Sequence, residues 1–312
     1  MTTRIDAGAD TVHWGYFDAA LKPLATIDSG DVVTLGTVSG TPEQMPPSSF
    51  KIPPALPAIH QSKNKRIVPG HMLTGPVAVR GARAGQVLQV DIESIDLAYD
   101  WGYTMHRPLS GGLPHDFPEP KLEHSRLDAQ RMIGHLPWGM DIALKPFFGV
   151  MGVAPPRPWG TVSTLPPRQN GGNLDNKELV AGTTLYLPIF VDGALFSAGD
   201  GHGVQGDGEV CITAIETGLT GTFELIVRDD MTLEWPMAET PTHLMTMAFD
   251  PDLDDCVVIA LRDMIALICR RTNLSREQAY TLCSLAADLR VTQVVNGNKG
   301  IHVMLEKKLL GG

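Results

Sequence analysis

The tract Ser197-Ala-Gly-Asp-Gly-His-Gly-Val-Gln-Gly-Asp-Gly-Glu-Val210 is too polar and glycine-rich to bury apolar surface, yet it lies between the strand-like runs Thr184 to Val191 and Val210 to Ala214. A chain built this way sets polar chemistry between core strands. In extended backbone alternate side chains share a face, so Asp200 and His202 face one way and Gln205, Asp207 and Glu209 form another like-facing run. A turn through Gly203 to Gly206 then predicts a hairpin on which carboxylates, an imidazole and an amide converge, a set suited to a hard metal ion or a general base. The plain alternative is a turn, because Gly tolerates positive φ and Asp bonds its own backbone, but a turn needs only one or two such residues. The missing side chains also predict close approach of a small substrate to the backbone, and with it a narrow acyl pocket.

The 312 residues suffice for one large β domain or two packed ones, and 43% hydrophobic against 19% charged residues supply a core without a signature of disorder. A formal charge of −10 argues against nucleic acid as a partner and favours a small neutral or cationic substrate. With 32 glycines and 24 prolines, many short strands and turns are expected. Cys211, Cys256, Cys269 and Cys283 form no C-x-x-C and sit in apolar runs, which predicts reduced thiols in a cytoplasmic protein. The first ten residues lack the apolar core of a signal peptide and no run approaches a membrane span, so no membrane partner is expected.

Along the chain, Thr11 to Val38 reads as two strands with His13-Trp14 at the entrance. Thr41 to Pro57 reads as an ordered loop, and Val77 to Val79 with Val87 to Ile95 as a hairpin about a glycine turn. Residues 98–146 have weak periodicity and read as an excursion, a wall or lid over a site elsewhere; His106, His115, His124 and His135 show no metal-ligand spacing. Pro146 to Pro155 reads as a buried strand whose glycines let backbones meet, and Asn170, Asn173 and Asp175 as a polar loop close to the opening tract. Leu253, Val257, Ala260, Leu261, Met264 and Ile268 mark one face of a helix from near Asp252 to near Arg271. Ser275-Arg-Glu-Gln278 is a capping-box pattern that opens a second helix, with its stripe drawn through Leu289; a last strand follows at Val291 to Val295 or Ile301 to Leu305. No repeat or linker divides 1–312, so one unit is expected: a β-rich body over 11–250, then a helical hairpin and closing strands over 251–312.

Seven ordered blocks carry a resemblance: Leu73 to Ala82, Phe148 to Ala154, Gly171 to Asp175, Thr184 to Pro188, Ala194 to Asp200, Gly199 to Cys211 and Ala279 to Leu285. Together they resemble the acetamidase/formamidase family from about Thr11 to about Val303. Three departures bear on substrate size more than on reaction type: Arg83 to Gln86 stands where members usually carry an acidic residue and Gly-Asp, Gly203-Val204 replaces a pair of alanines, and the loop from Asp100 to Lys145 is idiosyncratic. The resemblance implies a mainly β chain, a β-sandwich (jelly-roll or CUB-like) body with an added α/β part that contains the C-terminal helical hairpin. It also implies hydrolysis of a short aliphatic amide to carboxylate and ammonia at a metal-assisted site. The metal set expected is Asp200 and His202 with His71 and His13, holding a divalent ion, zinc first and calcium as the alternative. Glu209 and Asp207 are the expected proton carriers, and Gln205, Asn173, Thr74 and Gly201 the substrate-binding residues. A homo-oligomer, dimer or higher, is expected with it. The rival class is a non-catalytic β-sandwich module that binds a small polar ligand or calcium through the same acidic tract, and a third reading is the same scaffold acting on a larger amide or another C–N bond.

Overall fold

Residues 2–62 and 68–311 are described by the computed structural model, and they are mainly β. Two large sheets pack face to face. The first has nine strands in the order Thr2–Ile5, Asp31–Gly36, Leu219–Arg228, Val87–Leu97, Thr184–Pro188, Met237–Glu239, His243–Asp250, Asn298–Glu306 and Asp288–Asn296. The second has eleven and is centred on Phe196–His202, every residue of which is buried. One edge of that strand pairs with Phe147–Gly152. The other is shared between Met72–Val79, which takes Phe196 to Gly199, and Glu216–Thr217, which takes Gly201 and His202. Shared pairing at such close quarters leaves no room for side chains on the glycines: a Cβ on Gly199 would lie 2.2 Å from the Met72 carbonyl oxygen, and one on Gly201 2.5 Å from that of Thr217.

The main core lies between the sheets, where the rings of Phe148, Phe196 and Phe223 meet with centroids 5.5 and 5.6 Å apart. Each such buried ring contributes about 1.5–3 kcal/mol. Strand His243–Asp250 shows how period-2 patterning feeds two cores. Met245, Met247 and Phe249 face the sandwich, whereas Leu244 and Ala248 face the helices Leu253–Arg271 and Arg276–Ala286. The caps are those the sequence predicts: the Asp252 carboxylate accepts the Asp254 N–H, and Ser275 and Gln278 form a reciprocal box. The second helix stops at Ala286, however, and Leu289 lies in the strand Asp288–Asn296, which pairs with Asn298–Glu306. Among the described residues no helix is long and apolar enough to cross a membrane.

Two further expectations change. Met72–Val79 and Val87–Leu97 do not pair as a hairpin; they lie in different sheets, and the turn between them carries the chain from one layer to the other. Alternation fixes which face of a strand is apolar but not which strand lies beside it. The excursion is sheet too: Trp101–His106, Lys121–Asp128, Ile133–His135 and Asp141–Ala143 extend the eleven-stranded layer outward from Glu216–Thr217.

Candidate active site

Asp200 and His202 end the central strand, and three further carboxylates reach them from separate parts of the chain. Glu216 is the direct cross-strand partner of His202, and its Oε1 lies 3.3 Å from His202 Nε2. Asp175 follows the strand Gly171–Asn173, with its own N–H on the Gly149 carbonyl, and its Oδ1 is 3.8 Å from the same nitrogen. Beyond His202 the chain leaves the sheet and forms no hairpin. It returns against strand Asp288–Asn296, where Gly208 donates to the Thr292 carbonyl and accepts from the Val294 N–H, which sets Glu209 Oε1 at 4.0 Å from His202 Nε2. With Asp200 Oδ2 at 3.4 Å, one imidazole nitrogen faces four carboxylates. Asp175, Asp200 and Glu209 all hold positive φ, at 45°, 57° and 46°. Each such backbone costs roughly 1 kcal/mol, and strain of this kind persists where surrounding structure enforces it.

The His202 tautomer follows from its neighbours. Gln205 Nε2 donates to the Asp175 carbonyl at 2.8 Å, which turns its Oε1 toward His202 Nδ1 at 2.9 Å, so Nδ1 carries a proton and donates it. Nε2 is then left facing the carboxylates, none of which meets it in hydrogen-bond geometry. His202 Nε2, Asp175 Oδ1 and Glu216 Oε2 are all buried without a hydrogen-bond partner. Orphaned buried groups of this kind are costly unless something satisfies them. Two sets of ligand atoms, Asp175-Asp200-His202 and His202-Glu209-Glu216, each lie within 4.8 Å of one another. The ligand atoms of a four-coordinate zinc ion stand about 3.4 Å apart, so the spacing and the mixed imidazole-carboxylate chemistry both fit a divalent ion.

The electrostatics make the same demand for positive charge. Burial raises the Asp175 carboxyl, and burial together with Asp175 pushes Glu209 well above the ordinary range. Burial also pushes Glu216 up to about 7, against the opposing pull of His202. Asp200 is likewise raised by burial, but the His71 and His202 imidazoles more than reverse this and hold it below the usual carboxylate range. For His202, burial lowers the value and Glu216 and Asp200 overcome it, so the ring sits well above an ordinary imidazole.

A stability prediction follows. Glu216 has an ordinary value of 4.5 and a folded value of about 7, so the folded chain holds this proton the more tightly. The stability it contributes is complete below the unfolded value and is lost as pH rises through the folded one. Chelator-treated protein is expected to be less stable at about pH 8 than at about pH 5, by on the order of 3 kcal/mol from this group. Added divalent ion should narrow the gap. Thermal melts across that window check it, and a chelated protein that melts higher at the alkaline end contradicts the assignment.

A cavity of about 820 Å³ opens onto the cluster, and its wall includes His71, Asn173, Asp200, Glu209, Glu216 and Asn296. His71 is held by Thr164, whose Oγ1 accepts the His71 backbone N–H at 2.8 Å and lies 3.1 Å from ring Nδ1; its Nε2 is 3.7 Å from Asp200 Oδ2. Asn173 is buried with Oδ1 unpartnered. Asn296, at the tip of the last hairpin, donates to Asp175 Oδ2 at 2.5 Å.

Other residues singled out in the sequence lie elsewhere. Asp207 pairs with Lys177 at 2.9 Å, carried away from the cluster by the turn that brings in Glu209. The His13 ring is buried with Nδ1 3.2 Å from the Gly75 carbonyl, and burial lowers it to about 4. Thr74 is buried and donates to the Gly36 carbonyl at 2.7 Å. Gly201 packs on Thr217, and Gln205 braces His202 and Asp175 without lining the cavity. Glu216 and Asn296 carry no expectation from the sequence, and Asp175 is expected near the tract without a role in it. The one sequence signal for Glu216 is an acidic residue set in the strand text Ala214-Ile-Glu-Thr217.

The Acetamidase/Formamidase family model matches residues 19–161 and 159–305. Among curated proteins, the acetamidase of Mycolicibacterium smegmatis is 29% identical over 211 residues, which is 49% of this chain and 52% of that protein. The formamidase of Methylophilus methylotrophus is 30% identical over 191 residues, 45% of this chain and 47% of that protein. The chain thus spans about half the length of the curated relatives it matches. A crystal structure of an acetamidase from Bacillus halodurans superposes with a TM-score of 0.85 at 32% identity, over 99% of this chain and 100% of that one. The family match runs through every segment that supplies the cluster, from His71 to Asn296, and the chain belongs to the acetamidase/formamidase family.

Proposed function

We propose that the chain hydrolyses a carboxamide to a carboxylate and ammonia, with a divalent ion, zinc by its donor chemistry, held at His202. The observation that carries this reading is the buried, unpartnered His202 Nε2 within 4.0 Å of four carboxylates on the wall of an open cavity. Asp175, Asp200 and His202 would hold the ion: Asp175 lies behind the cavity wall with its second oxygen tied to Asn296, and His202 is braced by Gln205. When bound, such an ion polarises a carbonyl and acidifies water.

An amide resists water because its carbonyl is weakly electrophilic and its leaving nitrogen strongly basic. Glu209, raised by burial and facing the cavity, takes a proton from the attacking water as the C–O bond forms, and returns it to nitrogen as the C–N bond breaks. Glu216 stands opposite, its Oε1 accepting the Ala214 N–H at 3.0 Å. The Asn173 amide, buried and with Oδ1 unpartnered, would accept a substrate N–H, and His71 lines the same cavity. Formamide and acetamide, the amides after which the formamidase and acetamidase relatives are named, are the substrates to assay first.

Glu209→Gln preserves shape and removes the proton acceptor. It is expected to lower kcat by about 10²–10⁴-fold with bound metal unchanged. Ammonia release and metal content, measured on the same preparation, check this. Wild-type turnover in the variant removes the role, and loss of metal moves Glu209 among the ligands.

A further inference from the structure

We infer that the substrate's acyl group is apolar, uncharged and bulkier than acetyl, of the size of a phenylacetyl group. The inference rests on the amide-hydrolase reading above. The glycines of the central tract leave no narrow slot at the reacting centre, because Gly199 and Gly201 are packed against the Met72 and Thr217 carbonyls of neighbouring strands. The cluster instead opens into a single compartment of about 820 Å³, within the range that accommodates drug-sized ligands. Acetamide would leave most of that space to water.

Most of the compartment's exposed lining is apolar, although polar side chains, Ser39, Thr41, Gln44 and Thr213 among them, also face it. Asn173, Asp200, Glu209 and Glu216 line it where the chemistry is placed, whereas Trp14, Val38, Met72, Met105, Leu165 and Val295 form its broader walls. Trp14 and Met72 are register partners on adjoining strands, and Met105 comes from the strand Trp101–His106 of the excursion. Outside the cluster, Glu43 and Arg107 contribute one charge of each sign to the lining, so the wall beyond the cluster selects neither an anion nor a cation.

The same geometry says which end of the amide carries the bulk. Behind the cluster a single added carbon has no space: a Cβ on Gly149 would lie 2.5 Å from Asp175 Oδ1, 2.7 Å from Asp200 Oδ2 and 2.9 Å from His202 Cε1. To receive its proton the nitrogen must come within reach of Glu209, buried with its Oε1 4.0 Å from His202 Nε2, so it sits against the cluster rather than out in the compartment. The carbon substituent then projects toward the apolar walls, and the leaving group is ammonia rather than a substituted amine.

The test compares kcat/KM of the zinc-supplied protein for acetamide, phenylacetamide and N-benzylacetamide. Burial of the ring in the transition state predicts a ten- to hundredfold preference for phenylacetamide over acetamide. Acetamide hydrolysed as well as phenylacetamide overturns the inference and leaves the hydrolase reading standing. Faster cleavage of N-benzylacetamide than of phenylacetamide overturns the placement of the bulk, and no hydrolysis of any amide overturns both readings. Met105→Trp and Leu165→Trp, which fill the wall from two sides, are each expected to lower the phenylacetamide-to-acetamide ratio tenfold or more. A ratio unchanged in both folded variants overturns the wall assignment.

Discussion

Replacing His202 by alanine is expected to remove bound metal and amide hydrolysis together, with kcat/KM falling about a thousandfold or more, roughly 4 kcal/mol of transition-state stabilisation. The ring is the one imidazole inside a shell of carboxylates, and its Nε2 is the atom all four approach. Without it the remaining oxygens suit calcium or magnesium better than zinc. The Gln205 side chain also loses the donor that its Oε1 accepts. Metal analysis of wild type and variant, with ammonia assays on the same samples, checks the coupling. Full activity in metal-free protein would reject the metal-assisted reading outright.

Gly149→Ala should be nearly as damaging, although residue 149 has no reactive group. Its Cβ would enter the space between Asp175, Asp200 and His202 at 2.5 to 2.9 Å, well inside van der Waals contact. Those side chains are enclosed by paired strands and cannot all retreat, so at least one moves by a sizeable fraction of an ångström. Misplacement on the order of 1 Å can cost a hundredfold in rate, and a loss of that order in kcat is expected here with metal affinity weakened. Gly206→Ala is the control, because a Cβ there meets nothing within 4 Å, and it should stay within a few fold of wild type. Equal behaviour of the two variants would show that the space at Gly149 is not needed.

Some of this was legible in the chain itself because the determinants are local. Asp200 and His202 are two residues apart at the end of a strand, and both reach the cluster as the spacing implies. The helix from Asp252 and the box at Ser275 rest on contacts within a single turn, and both form. The glycine-rich tract reads as an insert between core strands, but its first part is itself the buried central strand, Val210 to Ala214 form no strand, and the hairpin does not form. Gly206 and Gly208 let the chain turn in either sense, and the pairing of Gly208 with strand Asp288–Asn296 decides the outcome. Glu209 is thereby turned inward and Asp207 outward to Lys177. His13 and Thr74 looked available for a site, but His13 Nδ1 and the Thr74 hydroxyl are taken up by the Gly75 and Gly36 carbonyls, in places away from the cluster.

The sequence by itself determined the fold class, the two capped helices, the family and the strand that carries the central histidine. Each depends on patterning, capping or motif order, which are properties of neighbouring residues. Only the tertiary structure decided which carboxylates meet that histidine. Glu216 arrives by the cross-strand register that sets it opposite His202, Asp175 by the pairing of Gly171–Asn173 with Val150–Gly152, and Asn296 by the last hairpin. A one-residue slip in any of these pairings would turn the side chain to the other face of its sheet. That register is set by packing between strands far apart in the chain, so it is not written in any local stretch.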